Sequence, residues 1–287
     1  MSGVDRRFDT PPLPGMLIRH PRFPGVVVAA EYLLPSGSFK DRGAVTVVAA
    51  AKAKGFRTVA LDSSGNAGFA VALQAAREGL RARIHVAAGA APEKLALIRA
   101  TGAELIVHPD RPSAARGASH DDAYDASHIR NPLFWSGVAE GPRSWRAQGL
   151  DPQEVWLPVG NGSLLFGLAE GFGPQLPRFI GVQPEQCAPL ARPGSPLRPT
   201  LADGVAVGEP VHRERLQETV ERSRGEWAAV AEDEIDRAFR QAWRDGFPIE
   251  PTSALPFALI ERFAGRAATI LIVATGSGLK HPPSNAG

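Results

Sequence analysis

The sequence predicts an α/β fold of two open twisted sheets with flanking helices. Short apolar segments alternate with helix-length stretches along most of the 287 residues. The alternation lapses in a polar stretch and then restarts. Where strands give way to helices, turns of glycine and other small residues recur. Strands separated by helical stretches of this length argue for right-handed βαβ units and a parallel sheet, and the restart argues for two such blocks.

In the first block, 58–62 reads as a short buried strand, 68–78 as a helix closed by Gly79, and 83–87 as the next strand. A helix at 92–100 has Pro92 in its first turn and Gly102 beyond its end, the order in which these residues start and stop helices. A third strand follows at 104–107, then a polar, less regular stretch over 109–125. In the second block, 154–157 and 179–182 read as strands around a helix at 164–171. Residues 183–208 are rich in Pro and Gly and read as loop. Helices are expected at 233–243 and 253–263, and a β-branched strand at 268–274. A crossover near 131–135 divides the chain into a larger domain, 1–43 with 136–287, and a smaller α/β domain, 44–135. Two blocks of this kind imply a cleft, and in open α/β sheets ligands bind at the carboxyl ends of strands, near helix N-termini.

Composition narrows the function classes. With 44% apolar and 22% charged residues and a net charge of +2, the chain fits a soluble globular protein with no strong field toward nucleic acid or a membrane. One cysteine, Cys187, excludes an intrachain disulfide and fits a reducing cytoplasm. The polar stretch from Met1 to Thr10 lacks the apolar core of a secretory signal, and the apolar run 270–274 is far too short to span a bilayer. The seven histidines are scattered without metal-ligand spacing, and no Gly-x-Ser-x-Gly elbow points to a hydrolase. Only five of the 32 basic residues are lysines. In an arginine-preferring chain, a lysine is a candidate for chemistry that needs an amine, because arginine stays protonated.

Four short motifs carry chemistry. Ser36-Gly37-Ser38-Phe39-Lys40-Asp41-Arg42-Gly43 leads into a helix near 44–54 and presents an amine at a loop-to-helix junction. Read alone, Lys40 is equally well a surface lysine beside a solvated Asp41–Arg42 pair. Asp62-Ser63-Ser64-Gly65-Asn66-Ala67-Gly68 stands at a strand end before a helix, where small residues admit a ligand and free N–H groups favour an anion. Pro158-Val159-Gly160-Asn161-Gly162-Ser163-Leu164-Leu165 has the makings of a phosphate cradle, though without the Gly-Lys-Ser/Thr of a nucleotide loop. Ala274-Thr275-Gly276-Ser277-Gly278-Leu279-Lys280 places a hydroxyl at the end of the last strand. Each of these is also an ordinary turn or helix cap when taken singly.

In this order, the four motifs resemble the fold type II pyridoxal phosphate (PLP) enzymes, the tryptophan synthase β-like family. The resemblance extends from about Leu17 to Lys280 and includes the stretches 201–207 and 246–254. Within that family, Gly-Ser-Phe-Lys-Asp-Arg-Gly and the ending 275–280 look most like threonine synthase. The resemblance implies PLP in the cleft between the two domains, with Lys40 holding it as a Schiff base and later moving the Cα proton. Phe39 would flank the cofactor, and Asn66 would bond its ring hydroxyl. Gly160, Asn161, Gly162, Ser163 and Leu164 would hold its phosphate, and Thr275 would face the pyridine nitrogen. Ser63, Ser64, Gly65, Asn66 and Ala67 would cradle the carboxylate of a small amino-acid substrate. A hydroxyl opposite the ring nitrogen, unlike an aspartate, does not favour a protonated pyridinium, and this suits elimination and replacement at Cβ or Cγ.

The resemblance further implies a cytoplasmic homodimer serving amino-acid biosynthesis, and a lyase converting O-phosphohomoserine to threonine and phosphate. A threonine/serine dehydratase, a cysteine-synthase-like β-replacement enzyme and a non-catalytic PLP-binding paralogue are the alternatives. One departure bears on the choice. Threonine synthases carry a phosphate-binding arginine shortly after an Asn-Pro pair, whereas Asn131-Pro132 is followed here by Leu133-Phe134-Trp135, with Arg130 and Arg143 as the nearby cations.

Overall fold

A computed structural model describes residues 13, 15–120, 122–195, 197–263, 268–280 and 282–283. The polar N-terminal stretch from Met1 to Thr10 lies outside them. The chain divides into two compact units, one comprising Met1–Leu13 and Leu34–Glu140, the other Pro14–Leu33 and Gly141–Gly287.

The described chain opens in the second unit with β1 (Leu17–Arg19) and β2 (Val26–Ala30), which pair antiparallel. The first unit then supplies α1 (Lys40–Ala53), β3 (Thr58–Asp62), α2 (Asn66–Arg77), β4 (Arg81–Ala87) and α3 (Pro92–Ala100). It continues with β5 (Glu104–His108), α4 (Arg111–Ser119), β6 (Tyr124–Asp125) and α5 (Pro132–Val138). Its strands form a four-stranded parallel sheet in the order β5-β4-β3-β6. Leu61 and Ile84 from the sheet, Ile98 from α3 and Phe134 from α5 are fully enclosed. α1 packs against α2 and α5.

α6 (Glu140–Ala147) leads into β7 (Glu154–Pro158), α7 (Ser163–Phe172), β8 (Arg178–Pro184), α8 (Arg213–Arg222) and β9 (Glu226–Val230). α9 (Glu232–Arg244), α10 (Pro251–Phe257), α11 (Ile260–Phe263) and β10 (Ile270–Ala274) complete the second unit. Its six strands run in the order β1-β2-β10-β7-β8-β9, all neighbours parallel except β1 with β2. The last strand in sequence therefore sits inside the sheet, with Ile272 opposite both Val28 and Trp156. Every residue of β2, β7 and β10 is buried, as expected of parallel strands covered on both faces. A carboxylate lies among them, and it is satisfied: Glu154 accepts from Trp156 Nε1 at 2.8 Å and from Arg178 Nη1 at 3.0 Å.

The sequence expectations hold for the strand–helix alternation and depart from the structure at several places. The stretch 109–125, expected to be irregular, contains α4 and β6. α4 buries only Ala114 and Ala118, so no apolar stripe marks it in the sequence. It is started instead by Asp110, whose Oδ1 accepts from Ser113 N at 2.7 Å. The helix expected over 253–263 is two helices, α10 and α11, with Pro256, which has no N–H to donate, inside the first. In the stretch expected as loop, β8 reaches Pro184, and two short 3₁₀ turns lie at Glu185–Cys187 and Asp203–Val205. The contact boundaries of the two units follow Leu33 and Glu140. No described helix is long and apolar enough to cross a membrane.

The buried strand order has a measurable consequence. Ile272→Ala, at a fully enclosed position of the larger sheet, is expected to cost about 2–5 kcal/mol in denaturant unfolding followed by tryptophan fluorescence. Leu197→Ala, at a position 64% exposed, is expected to cost less than about 0.5 kcal/mol.

Candidate active site

Lys40 is the first residue of α1, held in place by a turn that the next residue ties down. Asp41 Oδ2 accepts from Ser36 N at 2.8 Å and from Ser36 Oγ at 2.9 Å, and Gly37 N donates to Leu34 O at 2.7 Å. Gly37 takes a left-handed φ of 77°, which a glycine adopts without steric cost. Asp41 and Arg42 are buried, not a solvated charged pair. Arg42 Nη1 donates to Leu13 O at 3.0 Å. Lys40 itself is half-buried. Its Nζ lies 4.6 Å from the Phe39 ring centroid and 5.8 Å from that of Phe134. It is also 3.3 Å from His128 Nδ1.

Asn66 is likewise the first residue of its helix, α2, reached from β3 through Ser63, Ser64 and Gly65. The loop folds back onto the helix: Gly65 N donates to Ser63 Oγ at 3.3 Å, and a Cβ at Gly68 would collide with the Ser63 carbonyl. Only glycine fits at position 68 without moving that loop. The α2 N-cap, Gly65, makes no side-chain cap, and a Cβ there would meet nothing within 4 Å. The start of α2 thus presents its first-turn N–H groups with small, half-buried residues around them, an arrangement suited to a carboxylate.

In the second unit, Gly160, Asn161 and Gly162 join β7 to α7, and Ser163 and Leu164 begin that helix. Gly162 is the N-cap, at φ 91°, with no side-chain cap. Gly160 is tight: a Cβ there would stand 3.2 Å from Val205 Cα. Asn161 Oδ1 accepts from Val211 N at 3.2 Å, which anchors the turn. Thr275 lies just past β10, next to β7 in the sheet. The register Ile272↔Trp156 brings Thr275 and the glycine turn to the same carboxyl edge. Thr275 Oγ1 is 2.9 Å from Ser253 Oγ, and that hydroxyl also accepts from Gly276 N at 2.9 Å. A buried, oriented hydroxyl beside an uncapped helix start matches what a pyridine nitrogen and a phosphate need. The residues present therefore fit PLP.

Three groups escaped the reading of the sequence. His128 stood among scattered histidines, 88 residues from Lys40. Phe134 was read only as an apolar replacement, yet its ring packs on Gly43, where any Cβ would strike it. Asp62 ends β3 and meets Arg130 Nη1 at 3.4 Å, and Arg130 Nη2 is 3.4 Å from Asp125 Oδ1. Burial holds the Asp62 carboxyl above its ordinary value, against the opposing pull of Arg130. Burial, with the positive charges of Lys40 and Arg130, pushes His128 well below the ordinary imidazole value. No local pattern announces the contacts of Lys40 with His128, of Gly43 with Phe134 or of Asp62 with Arg130, because each joins segments far apart in sequence.

The chain belongs to the fold type II PLP-dependent enzymes: residues 12–276 match the family described as "Pyridoxal-phosphate dependent enzyme", and its cofactor is pyridoxal 5'-phosphate. Among its relatives, a threonine synthase from Synechocystis sp. is 31% identical over 94% of this chain and 76% of that protein. A threonine synthase from Mycobacterium leprae is 31% identical over 88% of this chain and 76% of its own length. Among solved structures, a threonine deaminase from the organism abbreviated T.th. matches with a TM-score of 0.75 and 29% identity, over 90% of this chain and 89% of that one.

Two outcomes are expected of this site. Asp41→Ala removes the acceptor for the buried Ser36 N–H and is expected to lower stability by about 1–3 kcal/mol in chemical denaturation. His128 is expected to show no protonation step near pH 6.5 in an NMR titration of the native protein. An unfolded histidine binds its proton there and the native one does not, so stability present above about pH 6.5 is lost as pH falls below it.

Proposed function

We propose that this protein is a PLP-dependent carbon–oxygen lyase that eliminates or replaces a group at Cβ or Cγ of a small amino acid, with threonine-synthase-like chemistry as the first reading. The single observation that supports it most is the placement of Lys40: a half-buried amine at a helix start, fixed by Asp41 and Ser36 and bordered by two aromatic rings. When bound, PLP supplies an electron sink for charge developing at Cα. Lys40 Nζ would hold it covalently and, as a free amine, would take and hold the Cα proton. Phe39 would pack beside the ring, Asn66 would bond its hydroxyl, and Gly160, Asn161, Gly162, Ser163 and Leu164 would receive the phosphate through backbone N–H groups. Thr275 would offer its hydroxyl to the ring nitrogen. Ser63, Ser64, Gly65, Asn66 and Ala67 receive the substrate carboxylate at the start of α2. The similarity to two threonine synthases at 31% identity supports O-phosphohomoserine as substrate. The division of labour is proposed for the larger domain, 1–43 with 136–287, as cofactor binder, and the protein is proposed to act as a cytoplasmic homodimer in amino-acid biosynthesis.

A specific observation favours a second reading, a threonine/serine dehydratase. Phe134 and Trp135 are buried, and Trp135 Nε1 donates to His128 O at 3.0 Å. Apolar rings give a dianionic phosphate no partner. The nearby arginines are already engaged, Arg130 with Asp62 and Asp125, and Arg143 with Glu170 at 3.8 Å. A hydroxyl leaving group needs no phosphate site.

The holoenzyme is expected to absorb near the visible edge of the ultraviolet, and Lys40→Ala to abolish that band. Its persistence in Lys40→Ala would refute the assignment. Phosphate release from O-phosphohomoserine, measured beside keto-acid formation from threonine and serine, separates the two readings.

A further inference from the structure

Lys40 Nζ has a nitrogen base within hydrogen-bond distance, His128 Nδ1 at 3.3 Å. The backbone that carries the His128 imidazole is held by hydrogen bonds. Trp135 Nε1 donates to its backbone oxygen at 3.0 Å. Just beyond it, Ile129 N and Arg130 N both donate to Ser127 Oγ at 3.2 Å, which fixes the turn that carries it. The Phe134 ring lies 6.0 Å from the imidazole, centroid to centroid. The charged groups acting on His128 are Lys40 and Arg130, and Arg130 shares its charge with Asp62 and Asp125. Lys40 is therefore faced by two aromatic rings and a histidine.

We propose that His128 is a positioning residue for Lys40: its Nδ1 accepts a hydrogen bond from Lys40 Nζ and sets the direction of the amine without fixing it as a cation. The proposal rests on Lys40 being the cofactor lysine. A carboxylate at this place would also orient the amine, but its charge would stabilise the ammonium form and suppress attack on an aldehyde. A neutral imidazole orients it without that charge. It can accept through one nitrogen only, so Nδ1 is the bare nitrogen and Nε2 carries the hydrogen. The depressed basicity of His128 agrees with this role, because a protonated ring could not accept.

The test uses the full chain with His128→Ala, His128→Asn and His128→Asp, and reads two quantities. The first is the pH profile of Lys40 acylation in the cofactor-free protein, followed by peptide mass spectrometry. The second is the rate at which added PLP produces the absorbance band. His128→Ala is expected to slow band formation at least tenfold. His128→Asn, which keeps a neutral acceptor near the same point, is expected to restore it to within about threefold of wild type. His128→Asp is expected to move the Lys40 acylation midpoint up by one pH unit or more. Equal slowing in His128→Ala and His128→Asn, or wild-type behaviour in both, would overturn the proposal even if the aspartate variant does not fold. Lys40→Ala serves as the control. A band that survives it overturns the assignment of Lys40 itself, whereas a band lost there with unaffected His128 variants overturns the role of His128 alone.

Discussion

The carboxylate of Asp41, accepting at once from the N–H and the hydroxyl of Ser36, is the constraint on which the site depends. A buried charge is tolerated only where hydrogen bonds replace its lost hydration, so the turn 36–41 has one satisfied arrangement. That arrangement starts α1 at Lys40 and sends its side chain toward Phe39, Phe134 and His128. The helix is then fixed along its length by α2 and α5, and the closeness of the α5 contact is set by Gly43, where a Cβ would strike the Phe134 ring, and by Gly137, where a Cβ would strike the Arg42 carbonyl. Lys40, at the first position of α1, thereby shares the rigidity of a packed helix, which its proposed role of meeting a carbonyl carbon at bonding distance requires.

The second unit solves a parallel problem with neutral groups. The turn after β7 and the end of β10 stand side by side because those strands are neighbours in register. Ser253, from α10, ties the Thr275 hydroxyl to the backbone at Gly276. In each unit the proposed site residues stand at helix starts and strand ends, the places where backbone groups lack partners within their own element.

Much of this was legible in the sequence because it is local. Strand–helix alternation, Pro92 with Gly102, and the glycine turn 160–162 each declare themselves within a few residues. α4 and β9 did not: the helix buries two alanines and no larger side chain, and β9 has only Val230 fully buried, so neither carries a clear period. Pro256 within α10 was visible, but the expectation of one helix over 253–263 passed over it. The role of Asp41 was hidden for another reason, since a charged triplet reads as solvent-exposed unless its partners are known. His128 was beyond reach, and Arg130 was visible only as a nearby cation, because their contacts with Lys40 and Asp62 are made across 88 and 68 residues.

The position of β10 has a consequence for how the protein comes into being. The smaller sheet is built from strands contiguous in sequence between Thr58 and Asp125, and it can assemble as soon as that stretch leaves the ribosome. The larger sheet cannot. Its interior strand, β10, leaves the ribosome long after β2 and must pair with it as well as with β7. Until then β2 and β7 hold apolar edges that await a partner, the condition in which nascent chains draw on chaperones. Thr275, carried at the end of that strand, is the last in sequence of the cofactor's proposed contacts, so that part of the proposed site waits on the pairing of β10.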